Sequence, residues 1–263
     1  MRVMTFNLRF ENEFDGDNCW ANRCEILLET IRKYSPHVLG TQEGKPSQLS
    51  YLSQHLQDYQ ISADWRYWDD NCQYPTLFFR RDHFLSVEGG EFWLSETPHV
   101  HLSKSWDSAF PRMLSYVLLE MRDNSQRVWC AVTHLDHISR LARVEGAKII
   151  RDWSVNREEP IVLMGDFNDM PGSEVHKVLT LPDGPFVDTW QVLGREEDER
   201  SYTHHGFTGI PQKGRIDWIL VVPEIVVVDA VVADENVEGR YPSDHFPYVA
   251  KLELSVTPGA EQP

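Results

Sequence analysis

The sequence predicts a layered α/β domain, and three observations carry that expectation. Short apolar runs of strand length, rich in Val, Ile, Leu, Phe and Trp, recur from Val3 to Leu254. Between some of them lie longer stretches whose apolar residues return every three or four positions, the spacing of a helix with one buried face. No fixed-period repeat or low-complexity tract appears, which disfavours a solenoid or a propeller.

The elements follow in order. Val3-Met4-Thr5-Phe6 opens the chain as a strand. Residues 20–34 form a helix with Ile26, Leu27, Thr30 and Ile31 on one face, and Pro36 ends it. A strand then runs from Val38 to Glu43. Pro46 suits the first turn of a helix over 47–56. The middle holds short strands, expected to pair antiparallel, at 59–62, 76–80, 91–94, 114–121 and 128–134. Residues 139–153 form a helix with Leu141, Val144, Ile149 and Trp153 turned inward. Pro160 introduces a strand to Asp166, and a short helix covers 173–179. Strands at 186–190, 215–222, 225–233 and 247–254 complete the domain.

With 263 residues, 41% hydrophobic and 25% charged, the chain can bury a sizeable core without disulfides. One domain over 1–256 is expected, with 257–263 as a disordered tail. The formal net charge of −16 repels nucleic acid and anionic membranes at long range, although a cation bound among carboxylates would reverse the field locally. Cys19, Cys24, Cys72 and Cys130 lack paired spacing and read as reduced, packed thiols. No apolar run approaches the roughly 20 residues of a membrane helix, and the cytoplasm is the expected compartment.

A polar residue that ends an apolar run calls for an explanation, because strands favour apolar residues and chemistry needs polar ones. The switch recurs at Asn7, Glu43, His134, Asp166 with Asn168, Asp217, and the Asp244-His245 pair. Any one of these fits a turn or a hydrogen-bonded core residue. Together they place two histidines and several oxygen donors at the mouths of neighbouring strands, where enzymes build metal-assisted sites.

Thr5-Phe6-Asn7, Thr41-Gln42-Glu43, Thr133-His134-Leu135-Asp136-His137, Gly165-Asp166-Phe167-Asn168, Arg215-Ile216-Asp217-Trp218-Ile219 and Ser243-Asp244-His245 resemble, in that order, the motifs of the endonuclease/exonuclease/phosphatase superfamily with the DNase I-like fold. The resemblance runs from Asn7 to His245. It implies a four-layered α/β sandwich, with two mixed, mainly antiparallel sheets packed face to face and helices outside. It also implies phosphoester hydrolysis with Mg²⁺ or Mn²⁺, held by Glu43 with Asn7 and Asp244, since hard cations select oxygen ligands. Asp166 and Asn168, two apart in an extended strand, would share a face and position the attacking water. Asp217 would hold the His245 ring for proton transfer or phosphate contact, and His134 would donate to a non-bridging oxygen.

Further residues are candidates for substrate contact. Arg112 could clamp a phosphate or form a surface ion pair. Asp136 could orient the His134 ring. Trp68, beside Trp65 and Tyr67, could stack on a ring of the substrate. His137 reads as a loop residue, and adjacent His204 and His205 diverge too far for both to bind a metal. The partner is a phosphate-containing substrate, with nucleic acid among the options, no membrane, and the chain a monomer. The leading expectation is a phosphodiesterase or nuclease acting on DNA or RNA. The alternatives are a phosphatase for a small molecule such as an inositol or sugar phosphate, or a non-catalytic binding module. The acidic surface disfavours an apurinic-site endonuclease.

Overall fold

The computed structural model describes residues 1–70 and 72–254, so the expected tail at 257–263 lies outside the described residues. Among the described residues, twelve strands form two six-stranded sheets. The first contains β1 (Arg2–Asn7), β2 (Val38–Gly44), β3 (Tyr59–Ser62), β4 (Tyr74–Arg80), β11 (Ile225–Val232) and β12 (Tyr248–Leu254), in the order β11-β12-β1-β2-β4-β3. The second contains β5 (Phe84–Trp93), β6 (Met113–Met121), β7 (Arg127–His134), β8 (Ile161–Asp166), β9 (Val187–Asp188) and β10 (Asp217–Val221), in the order β5-β6-β7-β8-β10-β9.

Each sheet has one parallel pair, β1 with β2 and β7 with β8, and its other pairings are antiparallel. Parallel neighbours need a crossover. Helix α1 (Trp20–Tyr34) supplies it between β1 and β2, and α3 (Arg140–Ser154) between β7 and β8. Ser139 caps α3 by accepting from the Ala142 amide, and Arg32 and Lys33 complement the dipole in the last turn of α1.

Three apolar clusters separate four layers. Val3, Val38, Val128, Cys130, Val132, Met164 and Ile219 meet between the sheets. Met4, Leu28, Leu39 and Phe78 pack under α1 and α2 (Pro46–His55), while Leu114, Ala147, Leu163 and Trp218 pack under α3 and α4 (Glu174–Leu179). This is the expected sandwich with helices outside.

Three local expectations are corrected. Leu141 is 53% exposed, because the inward stripe of α3 is carried by Ala142, Val144, Ala147 and Ile150. Strand β5 begins at Phe84 rather than 91, held to β6 across a bulge between Ser86 and Glu88 despite its polar, glycine-bearing sequence. The strand expected at 186–190 is only Val187–Asp188, since the Asp188 carboxylate accepts from the Trp190 amide and turns the chain.

Candidate active site

Topology brings the polar strand ends together. Parallel neighbours end on the same side, so Asn7 and Glu43 leave the first sheet where His134 and Asp166 leave the second. Asp217 starts β10 directly opposite Asp166 in the antiparallel register. Asp244 and His245 lie just before β12, which runs antiparallel to β1 and therefore begins at the same edge.

The side chains interlock. The Asn7 amide donates to Glu43 Oε1 at 3.1 Å and Asp166 Oδ2 at 3.0 Å, while its Oδ1 accepts from the Arg9 amide at 2.9 Å. Asn7 is therefore a bridge between the two carboxylates, and its Oδ1, which accepts one hydrogen bond, keeps a second lone pair. The Phe10 amide donates to Glu43 Oε2, and Glu43 itself has φ 62°, a left-handed conformation that costs a non-glycine residue energy and turns its carboxylate out of the strand.

Asn168 also has φ 50°, so it does not share a strand face with Asp166. Its backbone amide instead donates to Asp166 Oδ1 at 2.9 Å, and its side-chain nitrogen lies 3.0 Å from both Leu135 O and His134 Nε2. A carbonyl can only accept, so that atom is the amide nitrogen and His134 Nε2 accepts from it. In this arrangement the neutral ring carries its proton on Nδ1, which is then its donor. Burial, followed by the charge of Arg112, holds His134 well below the ordinary imidazole range and keeps the ring neutral.

His245 is the opposite case. Its Nδ1 lies 2.8 Å from Asp217 Oδ2, as expected, and its Nε2 faces Asp166 Oδ2 at 3.8 Å. Burial opposes its charge, but Asp217, Asp166 and Asp244 outweigh that and raise it to about 10. Burial and then Asp217 push Asp166 up to about 7. The result is an imidazolium beside a carboxyl group poised to exchange a proton near neutral pH.

Of these residues Glu43, His134, Asp166, Asn168 and His245, with Asp244, line a cavity of about 350 Å³ whose wall also holds Arg9, Arg112 and Lys213, three cations in a chain of net charge −16. Arg112 is 9% exposed, and its ion pair is buried rather than at the surface: its Nε sits 3.6 Å from Asp136 without a hydrogen-bond partner, and its Nη2 is 3.1 Å from His137 Nδ1. Asp136 does not touch the His134 ring. Its two oxygens accept from the amides of Ala109, Ile138 and Ser139 and from the Ser108 hydroxyl, which fixes the loop under Arg112 rather than contacting the cavity. Trp68 is also outside the cavity, packed edge-on to Tyr74 with the Arg66 guanidinium over its ring.

Sequence reasoning missed Lys213, Phe10 and Gln73, which line the same cavity from irregular segments, and weighed His204, which lines it too, only as half of a metal-binding pair. His204 and His205 do diverge: His205 stacks on Phe246 away from the cavity, whereas His204 approaches His245 edge-on. Among the described residues, two groups offer carboxylate and imidazole atoms within 4.8 Å of one another, Asp166-Asp217-His245 and His204-Asp244-His245. Asp217 Oδ1 is buried without a hydrogen-bond partner. Together with Glu43, this donor chemistry fits a divalent cation.

A model of the endonuclease/exonuclease/phosphatase family matches residues 4–245. The chain belongs to that family. The match spans every member of the endonuclease/exonuclease/phosphatase site described above. A solved family protein from Bacteroides thetaiotaomicron is 28% identical, with 97% of this chain and 98% of that one covered and a TM-score of 0.87. A mannosyl-6-phosphatase from the same organism is also 28% identical, over 97% of this chain and 100% of that one, at a TM-score of 0.86. TDP2 of D. rerio with a single-strand DNA product, 18% identical over 97% of this chain and 99% of that one at a TM-score of 0.78, shares the fold. No curated protein sequence matches the chain. Like other members of this family, the chain is a phosphoesterase by descent, and among the described residues no helix is long and apolar enough to cross a membrane.

Proposed function

We propose that this protein is a divalent-metal-dependent phosphatase that hydrolyses monoesters of small molecules. The observation that carries the reading is the cavity of about 350 Å³, which gathers Arg112, Lys213 and His245 against Asp166. Its size lies at the lower end of the roughly 300–1,000 Å³ of small-molecule sites. The net charge of −16 opposes a long polyanion, and the likeness to a mannosyl-6-phosphatase over the full length supports the same substrate class. The nuclease expectation accordingly gives way to the small-molecule one.

In this reading Glu43 and Asp244 hold the cation, with Asn7 fixing the Glu43 carboxylate through its amide. The cation, Mg²⁺ or Mn²⁺, would supply charge neutralisation at a phosphoryl oxygen. Asp166, raised to about 7, accepts the proton of the attacking water, and the Asn168 amide fixes its other oxygen. The His245 imidazolium and Arg112 bind the charge that builds on the phosphoryl oxygens. A panel of sugar and polyol monophosphates, bis(p-nitrophenyl) phosphate, plasmid, and single-stranded DNA and RNA, each with Mg²⁺ or Mn²⁺, tests this. Monoester turnover that disappears in His245→Ala is expected; turnover of nucleic acid or the diester alone would overturn it.

A further inference from the structure

A second cavity of about 320 Å³ adjoins the catalytic one and shares three residues with it, Gln73, Phe110 and Arg112. Its remaining wall includes Leu102, Pro111 and Asp69. Two loops build it, one leading into β4 and one between β5 and β6. The second loop is held in shape by its own contacts: Ser95 and Ser103 hydroxyls meet at 2.6 Å, Ser103 donates to Thr97 O, and Ser108 donates to Phe110 O.

We infer that this cavity receives the leaving group of the substrate, and that the leaving group is an uncharged, polyhydroxylated ring such as a pyranose or a cyclitol. The inference rests on the phosphatase reading above. Arg112 stands at the junction and lines both cavities, so a phosphoryl group held by it in the catalytic cavity has room to direct its ester oxygen into the second. The catalytic cavity is lined with charge and suits the phosphoryl group. The second is mixed. Leu102, Phe110 and Pro111 offer a surface for the C–H face of a ring, and the Phe110 ring is set in place by stacking on His137 at 5.7 Å. Gln73 offers an amide whose oxygen and nitrogen can pair with hydroxyls.

The test compares kcat/KM for mannose 6-phosphate, glucose 6-phosphate and glycerol 3-phosphate in the wild-type protein, in Leu102→Trp, which fills the cavity, and in Leu102→Ala, which removes one of its apolar walls. Hexose monophosphates are expected to be the better substrates. Either variant should lower their kcat/KM by about 10-fold or more, mainly through KM, with glycerol 3-phosphate changed less than about 2-fold. Equal losses on hexose and glycerol phosphates, or no preference for the ring in the wild type, overturns the inference while leaving the phosphatase reading intact. Absence of any monoester turnover beside cleavage of the diester or nucleic acid overturns both.

Discussion

His245 and Asp217 form a buried pair, Nδ1 to Oδ2 at 2.8 Å, with the free face of the imidazole turned to Asp166. The carboxylate at Asp217 fixes the ring and stabilises its cationic form. Removing that charge should lower the His245 pKa from about 10 toward the ordinary 6.5, because the burial that opposes protonation remains. Asp217→Asn is therefore expected to keep the fold and lose roughly 10²–10⁴-fold in kcat, the scale of a misplaced acid-base group. NMR titration of the imidazole protons together with kinetics checks both halves. An unmoved His245 pKa would falsify the pairing as the source of its charge.

That pair is legible in the sequence, as are most of the strands, because each site residue interrupts a short apolar run of strand length. Helix α1 and strand β3 fall where their periodicity puts them. What escapes has physical reasons. Asn168 sits in a left-handed conformation, so strand alternation gives the wrong face for its side chain. Alternation also points Asp136 at the His134 ring, because it ignores the loop amides that claim both of its oxygens. His204, Lys213 and Gln73 reach the cavity from irregular segments, where no period exists to mark them.

Arg112 is expected to bind the phosphoryl group through a guanidinium that the protein leaves incompletely partnered. Arg112→Lys keeps the charge but loses the planar fork, and Arg112→Ala loses both. The alanine variant should lose about 10–100-fold in kcat/KM, the effect of one or two charge-assisted hydrogen bonds, with lysine in between. The fold should survive, since Asp136 keeps its backbone donors. Steady-state kinetics and inorganic phosphate inhibition measure it, and an unchanged phosphate inhibition constant would remove Arg112 from the site.

Glu43 is expected to be the principal ligand of the cation. Chelation should abolish turnover reversibly, with Mn²⁺ or Mg²⁺ restoring it. Glu43→Gln should weaken Mn²⁺ binding, measured by calorimetry without substrate, by at least about 10-fold. Equal Mn²⁺ affinity in the variant and the wild type would transfer that role to Asp244 and its neighbours.

Acid should destabilise the protein before its carboxylates titrate. His205 is fully buried, stacks on Phe246, and accepts from the Gly209 amide through Nδ1; burial and then His245 lower it from 6.5 to about 4. The unfolded chain then binds more protons than the folded one between those values, so stability falls as pH drops from about 6.5 to about 4 and the full contribution is present above 6.5. The loss is on the order of 1–3 kcal/mol from this residue. His205→Asn, which retains an acceptor for Gly209, should flatten that limb of the denaturation midpoint against pH; an unaltered limb would assign it to other groups, such as His37.

Gly165 ties the core to the chemistry. It lies on β8 between Met164 and Asp166, paired in parallel register with Thr133 of β7. A Cβ added there would sit 2.3 Å from the Thr133 carbonyl oxygen and 3.0 Å from its carbonyl carbon, and backbone held in a sheet cannot give way as a flexible side chain can. Gly165→Ala must therefore push β7 and β8 apart at the step where Thr133 leads to His134 and Gly165 leads to Asp166. Overpacking of this kind costs about 1–3 kcal/mol. Because the strain falls at the strand ends, activity should fall further than stability alone explains, since even folded molecules hold Asp166 out of place relative to Asn7 and His245. Thermal denaturation and kcat measured on the same preparation separate the two effects. A variant destabilised as expected but fully active below its melting temperature would show that the close approach of these strands serves packing alone.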